Sequence, residues 1–362
     1  MELCLYDPVD GYYARAGNQF GKAGDFYTSS DVHAVFGRLL ARQFEEVWRA
    51  LDCPAQFEIL ELGPGRGLFA SDVLAWSQKK FPEFYGATIY TLQESSPALR
   101  EKLEENLRAH IGGGHAALSR RVPDAGVARL TASIRRTGRA EIPLVIFANE
   151  FFDALPVEIV GAKGKLHLGF ERNRLVEMWL PPAADELEFL DRYGVHPEGV
   201  ERIEVPLEAQ SWVAAAAQAV GRGLLLAIDY GYTRDEQLAG RHRGTLMAYR
   251  RHSASADPYQ APGEQDLTAH VNFTALAAAA GQAGLRVEKL VTQSQFLMGI
   301  GQKTQFADAF EDCRLHQERA KVALQLKHLV TPAGMGDKFH AFVASRGVAE
   351  EKIAALNGLR FA

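Results

Sequence analysis

The fold is decided by residues 57–69, which read Phe57-Glu58-Ile59-Leu60-Glu61-Leu62-Gly63-Pro64-Gly65-Arg66-Gly67-Leu68-Phe69. An apolar run ends in Glu61, three glycines follow at alternate positions, and helix-compatible sequence comes next. This pattern predicts a buried parallel strand that turns sharply through a glycine loop into a helix. Glycine permits positive φ and lets a ligand approach the backbone, while the following helix offers free N–H groups and a positive dipole end. We therefore expect Gly63, Gly65 and Gly67 to hold a nucleotide-like cofactor.

The glycine spacing favours one class of cofactor over another. A dinucleotide fingerprint reads G-x-G-x-x-G, whereas here the third glycine comes one place early and Leu68 stands where that fingerprint has glycine. A phosphate-binding Gly-Lys-Ser/Thr sequence is absent from the loop. Glu61 would repel a pyrophosphate but attract the cationic methionine portion of S-adenosylmethionine. The loop thus predicts S-adenosylmethionine; a dinucleotide-dependent oxidoreductase and a glycine turn without function are the alternatives.

Composition limits the classes of function. The chain has 362 residues, 47% of them hydrophobic and 23% charged, with a formal net charge of −5. These values are typical of a soluble protein with a large core, in one elaborated domain or two, and give no reason to expect a nucleic-acid partner. Cys4, Cys53 and Cys313 are too far apart for a disulfide framework or a zinc site, so we expect a reducing compartment and no metal.

The N-terminal residues bear on the compartment. The sequence contains nothing that resembles a signal peptide or a transmembrane span. Three acidic residues, Glu2, Asp7 and Asp10, precede the first arginine, Arg15, which argues against a transit peptide. We therefore predict a cytoplasmic protein without membrane insertion.

Two further stretches are candidates for the cofactor site. The strand predicted from Thr88 ends at Glu94, and an acid at the end of the second strand of a βαβ unit accepts hydrogen bonds from ribose hydroxyls in nucleoside-binding sheets. A surface carboxylate without such a role is the alternative. Thr28 and Ser29 precede a helix predicted over about residues 32–51, and they either contact the cofactor or only cap that helix.

A second buried strand, predicted over residues 142–148, delivers Asn149, Glu150 and Asp153 to its carboxyl end. Parallel α/β sheets bind ligands at those ends, where the strand order reverses. Two carboxylates and an amide, mixed there with two phenylalanines, form a wall that suits a cationic or amine substrate facing the cofactor. Ordinary packing at a strand end is the alternative.

The remaining pattern predicts an inserted segment and the rest of the sheet. Residues 156–206 read as an insertion with an antiparallel hairpin over 165–179. The other predicted elements are strands near 127–133, 222–232, 285–290 and 339–345, and helices near 68–80, 97–109, 209–220, 274–283 and 304–329.

Several stretches occur together in the order found in one family. They are Tyr6-Asp7-Pro8 with Gly11-Tyr12-Tyr13, Gly24-Asp25-Phe26 with Thr28, Glu61-Leu62-Gly63-Pro64-Gly65-Arg66-Gly67, Asn149-Glu150-Phe151-Phe152-Asp153-Ala154-Leu155-Pro156, Asp229-Tyr230-Gly231, and Pro262-Gly263 with Gln265-Asp266-Leu267-Thr268-Ala269-His270-Val271. Over nearly its whole length the chain resembles the MidA-type methyltransferases, an S-adenosylmethionine-dependent family whose mitochondrial members assist assembly of respiratory complex I. It departs from the family at Ser29-Ser30-Asp31, where Ser/Ala-Pro-Glu is usual, and at Asn272, where aspartate is common.

The resemblance implies an α/β class I methyltransferase fold: a Rossmann-like, mostly parallel sheet with helices on both faces and an inserted α+β subdomain. The corresponding division is an N-terminal lid segment at 1–52, the first part of the cofactor-binding core at 53–155, the insertion at 156–206, and the rest of the core with substrate-side loops and a C-terminal helix at 207–362.

Residue roles follow from the resemblance in the same way. The implied cofactor residues are Thr28, Ser29, Glu61, Gly63, Gly65, Gly67 and Glu94, and Asn149, Glu150 and Asp153 line the methyl-transfer face. The implied activity is methylation of a protein arginine, within a complex I subunit, and a homodimer is compatible with it. A cofactor-binding assembly factor without essential catalysis and a small-molecule methyltransferase are the alternatives.

Overall fold

A computed structural model describes residues 1–14, 34–119, 142–172, 174–250, 253–255 and 257–360. The predicted cofactor residues Thr28 and Ser29 lie outside these ranges, as does the strand predicted near 127–133.

The described residues form three sheets and the helices around them. The strands are β1 (Phe57–Leu62), β2 (Thr88–Gln93), β3 (Ala116–Leu118), β4 (Leu144–Asn149), β5 (Glu158–Gly161), β6 (Gly164–Glu171), β7 (Arg174–Leu180), β8 (Arg202–Val205), β9 (Gly223–Tyr232), β10 (Met247–Arg250), β11 (Ser253–Ser255), β12 (Asp266–Thr268), β13 (Val271–Asn272), β14 (Arg286–Val287), β15 (Val291–Thr292) and β16 (Phe339–Arg346). The helices are α1 (Glu2–Tyr6), α2 (Val35–Ala50), α3 (Leu68–Lys80), α4 (Pro82–Ala87), α5 (Pro97–Asn106), α6 (Arg108–Gly112), α7 (Ala184–Arg192), α8 (Leu207–Ala219), α9 (Arg234–Leu238), α10 (Phe273–Gln282), α11 (Gln293–Gln302), α12 (Ala307–Phe310), α13 (His316–Val330) and α14 (Glu350–Ala354), with short 3₁₀ turns at Tyr12–Ala14 and Asn357–Leu359.

The central sheet is mostly parallel and has the strand order β14-β16-β9-β4-β1-β2-β3. Strands β3, β2, β1, β4 and β9 run parallel, and β16 is antiparallel to β9. All six residues of β1 are buried, as expected of a central strand covered on both faces. The predicted α/β Rossmann-like class is therefore confirmed.

Helices cover both faces of this sheet and bury a core on each. On one face α2 and α3 pack together, with Phe44, Phe69 and Phe147 in mutual contact. On the other face the alanine-rich helices α8 and α10 pack against Leu225 and Phe342. Because the strand order reverses between β1 and β4, the loops that follow these two strands border a crevice, and the predicted site residues lie in those loops.

Two smaller sheets accompany the central one. Strands β7, β6, β5 and β8 form an antiparallel sheet with α7 beside it, and β11, β10 and β12 form a three-stranded antiparallel sheet. The domain division given above remains a prediction. Among the described helices, none combines the length and the apolar character that a membrane crossing requires.

The single helix predicted near 304–329 is wrong, because the structure has two helices there, α12 and α13. The Glu318 carboxylate accepts the backbone N–H groups of Arg314 and Leu315 and so begins a new helix at His316. In the break between the helices, Asp312 pairs with Lys79 of α3. A partner more than 200 residues away in sequence does not appear in a local periodicity.

Candidate cofactor and acceptor site

The glycine loop has the backbone conformation that its sequence predicts. Gly63, Gly65 and Gly67 have φ values of 64°, 56° and 73°, in the left-handed region that favours glycine. The N–H of Gly63 donates to the carbonyl of Gln93 at 3.0 Å, which ties the loop to the end of β2. The loop therefore turns directly from β1 into α3, and no side chain caps the first N–H groups of α3 among the described residues.

The three glycines differ in what lies beside them. A Cβ at Gly63 would come 3.0 Å from the ring of Phe151, and one at Gly67 would come 3.1 Å from Leu103. These two glycines permit close packing. A Cβ at Gly65 would meet no atom within 4 Å, so the backbone of Gly65 borders open space in the crevice. A ligand could therefore approach the backbone of Gly65 without meeting a side chain.

Glu61, at the end of β1, is a buried carboxyl group with one hydrogen-bond donor beside it. It is 4% exposed, and the Tyr90 hydroxyl donates to its Oε2 at 2.9 Å. Burial, with a smaller contribution from the nearby Glu94, raises the pKa of Glu61 to about 8 against the Tyr90 hydrogen bond. A cation placed beside this carboxyl group would favour its charged form and lower that pKa.

Glu94 fastens the loop to the segment after β2. Its Oε2 accepts the N–H of Gly65 at 3.1 Å, and its Oε1 accepts the N–H of Ser96 at 2.8 Å. Burial raises the pKa of Glu94 to about 7 against these two bonds. Each carboxylate oxygen can accept a further hydrogen bond, so binding of ribose hydroxyls by Glu94 remains compatible with this arrangement.

The end of β4 combines backbone strain with an unsatisfied polar atom. Glu150 has a φ of 49°, which is uncommon for a residue other than glycine and recurs at functional sites. The Asn149 amide donates to Glu150 Oε1 at 3.2 Å, while the buried Oδ1 of Asn149 has no partner among the described residues. Phe151, which follows, contacts Gly63, so the structure brings the 149–153 segment against the glycine loop.

Asp153 is the second residue of the 149–153 segment with a buried oxygen that lacks a partner among the described residues. It is 5% exposed, and the Tyr230 hydroxyl donates to its Oδ2 at 2.7 Å. Its Oδ1 is buried without a partner among the described residues. Burial raises the pKa of Asp153 to about 6. An acceptor atom left unsatisfied in a buried place costs free energy unless a ligand donates to it.

Asp229 organises the 149–153 turn, a role that sequence reasoning missed. Its Oδ2 accepts the backbone N–H groups of Phe151, Phe152 and Asp153 at 3.2, 3.0 and 3.3 Å. Burial, with repulsion from Asp153 and Glu150, raises the pKa of Asp229 well above its ordinary value. The available signal was an acid near the end of a buried strand, in the Asp229-Tyr230-Gly231 stretch.

The N-terminal tyrosines also face this wall, and sequence reasoning gave them no role. The Tyr6 hydroxyl donates to the carbonyl of Ala154 at 2.9 Å, and the Tyr13 hydroxyl donates to Asp266 Oδ1 at 2.9 Å. The two rings lie 5.5 Å apart. Burial and the negative charges of Asp266 and Asp153 raise the pKa of both phenols well above the ordinary value. The end of β4 is therefore bordered by carboxylates and aromatic rings from three separate parts of the chain.

Comparison with known proteins agrees with this geometry. A family model described as an S-adenosyl-L-methionine-dependent methyltransferase matches residues 39–291. The protein arginine methyltransferase NDUFAF7 of Danio rerio is 29% identical over 94% of this chain and 81% of its own length, and the Drosophila melanogaster homolog is 27% identical over 96% and 80%. A solved COG1565 superfamily member from Burkholderia thailandensis, bound to S-adenosyl-homocysteine, has a TM-score of 0.79 and 26% identity over 99% of this chain and 88% of that one.

The prediction of a cytoplasmic protein is wrong by the same comparison, because both relatives are described as mitochondrial. It rested on the lack of a leader pattern in the printed sequence, and such an absence carries no information about where a protein resides.

Proposed function

The chain belongs to the MidA-type family of S-adenosylmethionine-dependent methyltransferases, and from this premise we propose that it methylates arginine side chains of a protein. The cofactor and the class of reaction follow from the family match and from the solved relative that holds S-adenosyl-homocysteine. This decides against the dinucleotide-dependent alternative. The identity of the acceptor is the part that is proposed.

The described residues fit the cofactor at one end of the crevice. We assign the open space beside Gly65 to S-adenosylmethionine, with Glu61 facing its cationic methionine portion and Glu94 its ribose hydroxyls. Gly63 and Gly67 let the loop lie close to Phe151 and Leu103, because neither glycine has a side chain that would collide with them. When bound, the cofactor supplies an electrophilic methyl group on a sulfonium.

The observation that favours an arginine acceptor is the buried Oδ1 of Asp153, which has no hydrogen-bond partner among the described residues. A guanidinium group is always charged and presents five N–H donors in a planar fork that matches the geometry of carboxylates. Asp153 and Glu150 would hold it by charge-assisted bonds, and Asn149 Oδ1, which has no partner in the described part of the chain, would accept one more N–H. The names of the relatives, protein arginine methyltransferases, support the same acceptor.

Asp153, Glu150 and Asn149 act by aligning the acceptor with the methyl group. Methyl transfer is an in-line displacement, so the chain has to direct one guanidinium nitrogen at the methyl group and exclude water. Tyr230 holds Asp153 at 2.7 Å and Asp229 holds the backbone of the turn, which fixes the carboxylate before the acceptor arrives. The acceptor's proton can leave after transfer, so no strong base is required.

The test uses label transfer from S-adenosylmethionine to a native cell extract. Wild type should produce labelled methylarginine after acid hydrolysis of the extracted proteins. Asp153→Asn and Glu150→Gln remove charge at constant shape, and each should lower the rate about thirtyfold or more, since a hydrogen bond to a charged group contributes about 2 kcal/mol. S-adenosylhomocysteine affinity should stay within about twofold, because neither residue is assigned to the cofactor.

Glu204→Gln is the matched control, because it makes the same change at a buried carboxyl group in the sheet of β5–β8 and should leave transfer intact. Label on small molecules or on other side chains would contradict the arginine assignment, as would site variants as fast as wild type. Identification of the labelled protein tests the narrower proposal of a complex I subunit. A Gly65→Val protein that no longer binds cofactor yet keeps its cellular role would favour the non-catalytic assembly factor.

A further inference from the structure

Tyr13 touches both sides of the crevice with different parts of one residue. Its carbonyl oxygen accepts the Ser96 hydroxyl at 2.6 Å, and its own hydroxyl donates to Asp266 at 2.9 Å. It lies in the 3₁₀ turn Tyr12–Ala14. Tyr12 of the same turn and Leu5 of α1 share a buried cluster with Leu267 of β12. One residue therefore connects a segment that follows β2 with a strand of the three-stranded sheet.

The Ser96 end of this connection leads to the glycine loop. The N–H of Ser96 donates to Glu94, and the same carboxylate accepts the N–H of Gly65. The path from Gly65 to Tyr13 thus runs through Glu94 and Ser96, all by side-chain or backbone hydrogen bonds of 3.1 Å or less. Ser96 also caps α5, accepting the N–H of Leu99 at 3.3 Å.

The Asp266 end leads to the acceptor side. Asp266 is 3% exposed and lies on β12. Tyr6, whose ring lies 5.5 Å from that of Tyr13, donates to the carbonyl of Ala154, the residue after Asp153. The charges of Asp266 and Asp153 act on both phenols, so the two carboxylates flank the same aromatic pair.

We propose that Ser96 and Tyr13 are positioning residues that couple cofactor binding to the order of the acceptor side of the crevice, where Tyr6, Asp153 and Asp266 lie. A cofactor that engages Glu94 and lies beside Gly65 stabilises the position of Ser96. Ser96 then holds the Tyr13 carbonyl, and Tyr13 holds Asp266. Two sites that share a hydrogen-bonded segment are linked thermodynamically, so the effect works in both directions. The inference rests on the proposed cofactor role of Glu94, but not on arginine as the acceptor.

Hydrogen exchange with and without S-adenosylhomocysteine tests the Ser96 step and needs no acceptor. In the wild type, the ligand should raise amide protection in residues 2–14 about tenfold, within the usual range of coupling between sites. Ser96→Ala and Ser96→Gly both remove the hydroxyl, but alanine costs an N-cap about 1 kcal/mol and glycine only a few tenths. Both variants should lose the ligand-dependent protection equally, and Ser96→Thr should retain it.

The pattern across these variants decides the outcome. If ligand-dependent protection of residues 2–14 is lost in Ser96→Ala but not in Ser96→Gly, the effect belongs to the cap of α5 and the proposal is overturned. Ligand-dependent protection that persists in both variants would also overturn the proposal. If S-adenosylhomocysteine does not bind the wild type in calorimetry, the cofactor assignment fails and the proposal fails with it. Failure of the arginine assignment, in contrast, appears only in the label-transfer experiment.

Tyr13→Phe tests the second step, because it keeps the backbone carbonyl and the ring but loses the hydroxyl that reaches Asp266. The ligand should still protect residues 2–14, whereas ligand-dependent protection of β12 should disappear, and affinity for S-adenosylhomocysteine should stay within about twofold of wild type. Tyr85→Phe, which removes a hydroxyl that contacts His110, is the matched control and should change neither segment. Unchanged protection of β12 in Tyr13→Phe would overturn the link.

Discussion

Glu61 is a single buried residue whose charge would respond to a cationic ligand in the proposed site. Its charged form is opposed by burial and by Glu94, and among the described residues the Tyr90 hydroxyl favours it. With a pKa of about 8 the group is mostly protonated at pH 7 in the ligand-free protein. A positive ligand beside it would supply the missing charge and lower that pKa, so binding and proton release are linked.

We expect binding of S-adenosylmethionine at pH 7 to release close to one proton from Glu61, and affinity to rise nearly tenfold per pH unit below about pH 7 and to level off above about pH 8. The sign follows because the free protein binds more protons than the complex in this range. Calorimetry in two buffers of different ionisation enthalpy measures the release, and Glu61→Gln isolates the contribution of Glu61 from that of Glu94. Equal proton release by wild type and Glu61→Gln would show that Glu61 does not face the cation.

At the scale of elements, the local pattern predicts the β1–loop–α3 unit well because its determinants are local. A buried run, glycines at alternate positions and a helical repeat all lie within 57–80, and α3 has the predicted bounds Leu68–Lys80. The bond between Tyr13 and Asp266 joins residues 253 positions apart, and no periodicity encodes it. The same holds for Asp229, whose Oδ2 accepts three N–H groups from the turn that follows another strand.

Asp229→Asn should show that β9 organises the end of β4. An amide has one acceptor oxygen, whereas Asp229 uses both oxygens, Oδ2 for the turn and Oδ1 for the N–H of Tyr230 at 2.9 Å. Asparagine must therefore place its NH₂ group against a backbone N–H, at a cost of about 1–3 kcal/mol in the free energy of unfolding. Methyl transfer should fall with it, while S-adenosylhomocysteine affinity remains.

The measurements are urea denaturation, label transfer and calorimetry on the same preparation. Glu204→Gln again serves as control. Glu204 accepts the N–H groups of Thr245 and Leu246 through Oε1, its Oε2 has no partner within the described ranges, and the single oxygen of glutamine can accept the same two N–H groups. An Asp229→Asn enzyme with wild-type transfer would mean that the turn keeps its shape without this carboxylate.

At the scale of the whole molecule, the two edges of the central sheet have different roles. The glycine loop and the 149–153 turn follow the carboxyl ends of β1 and β4. Strand β16 runs antiparallel, so its last residue, Arg346, pairs with Gly223 at the amino end of β9, on the opposite edge. The proposed site is therefore separated from the place where Arg346 joins the covering helices to the sheet.

Arg346→Met should reduce stability without altering the cofactor site. The guanidinium donates to the carbonyls of Ala217, Val220 and Gly284, at the carboxyl ends of α8 and α10, at 2.9, 3.0 and 3.1 Å. Methionine keeps the apolar stem but leaves these carbonyls without their donor, which should lower the free energy of unfolding by about 3 kcal/mol. The urea midpoint measures this loss, and calorimetry should give an S-adenosylhomocysteine affinity within about twofold of wild type.

Arg222→Met is the control for this last prediction, because Arg222 pairs only at the surface, with Asp52 at 2.9 Å, and such pairs contribute about 0–1 kcal/mol. It should leave both the midpoint and the affinity nearly unchanged. If Arg346→Met weakened S-adenosylhomocysteine binding tenfold while the protein stayed folded, the two edges of the sheet would be coupled, and the separation of stability from function argued from the topology would be wrong.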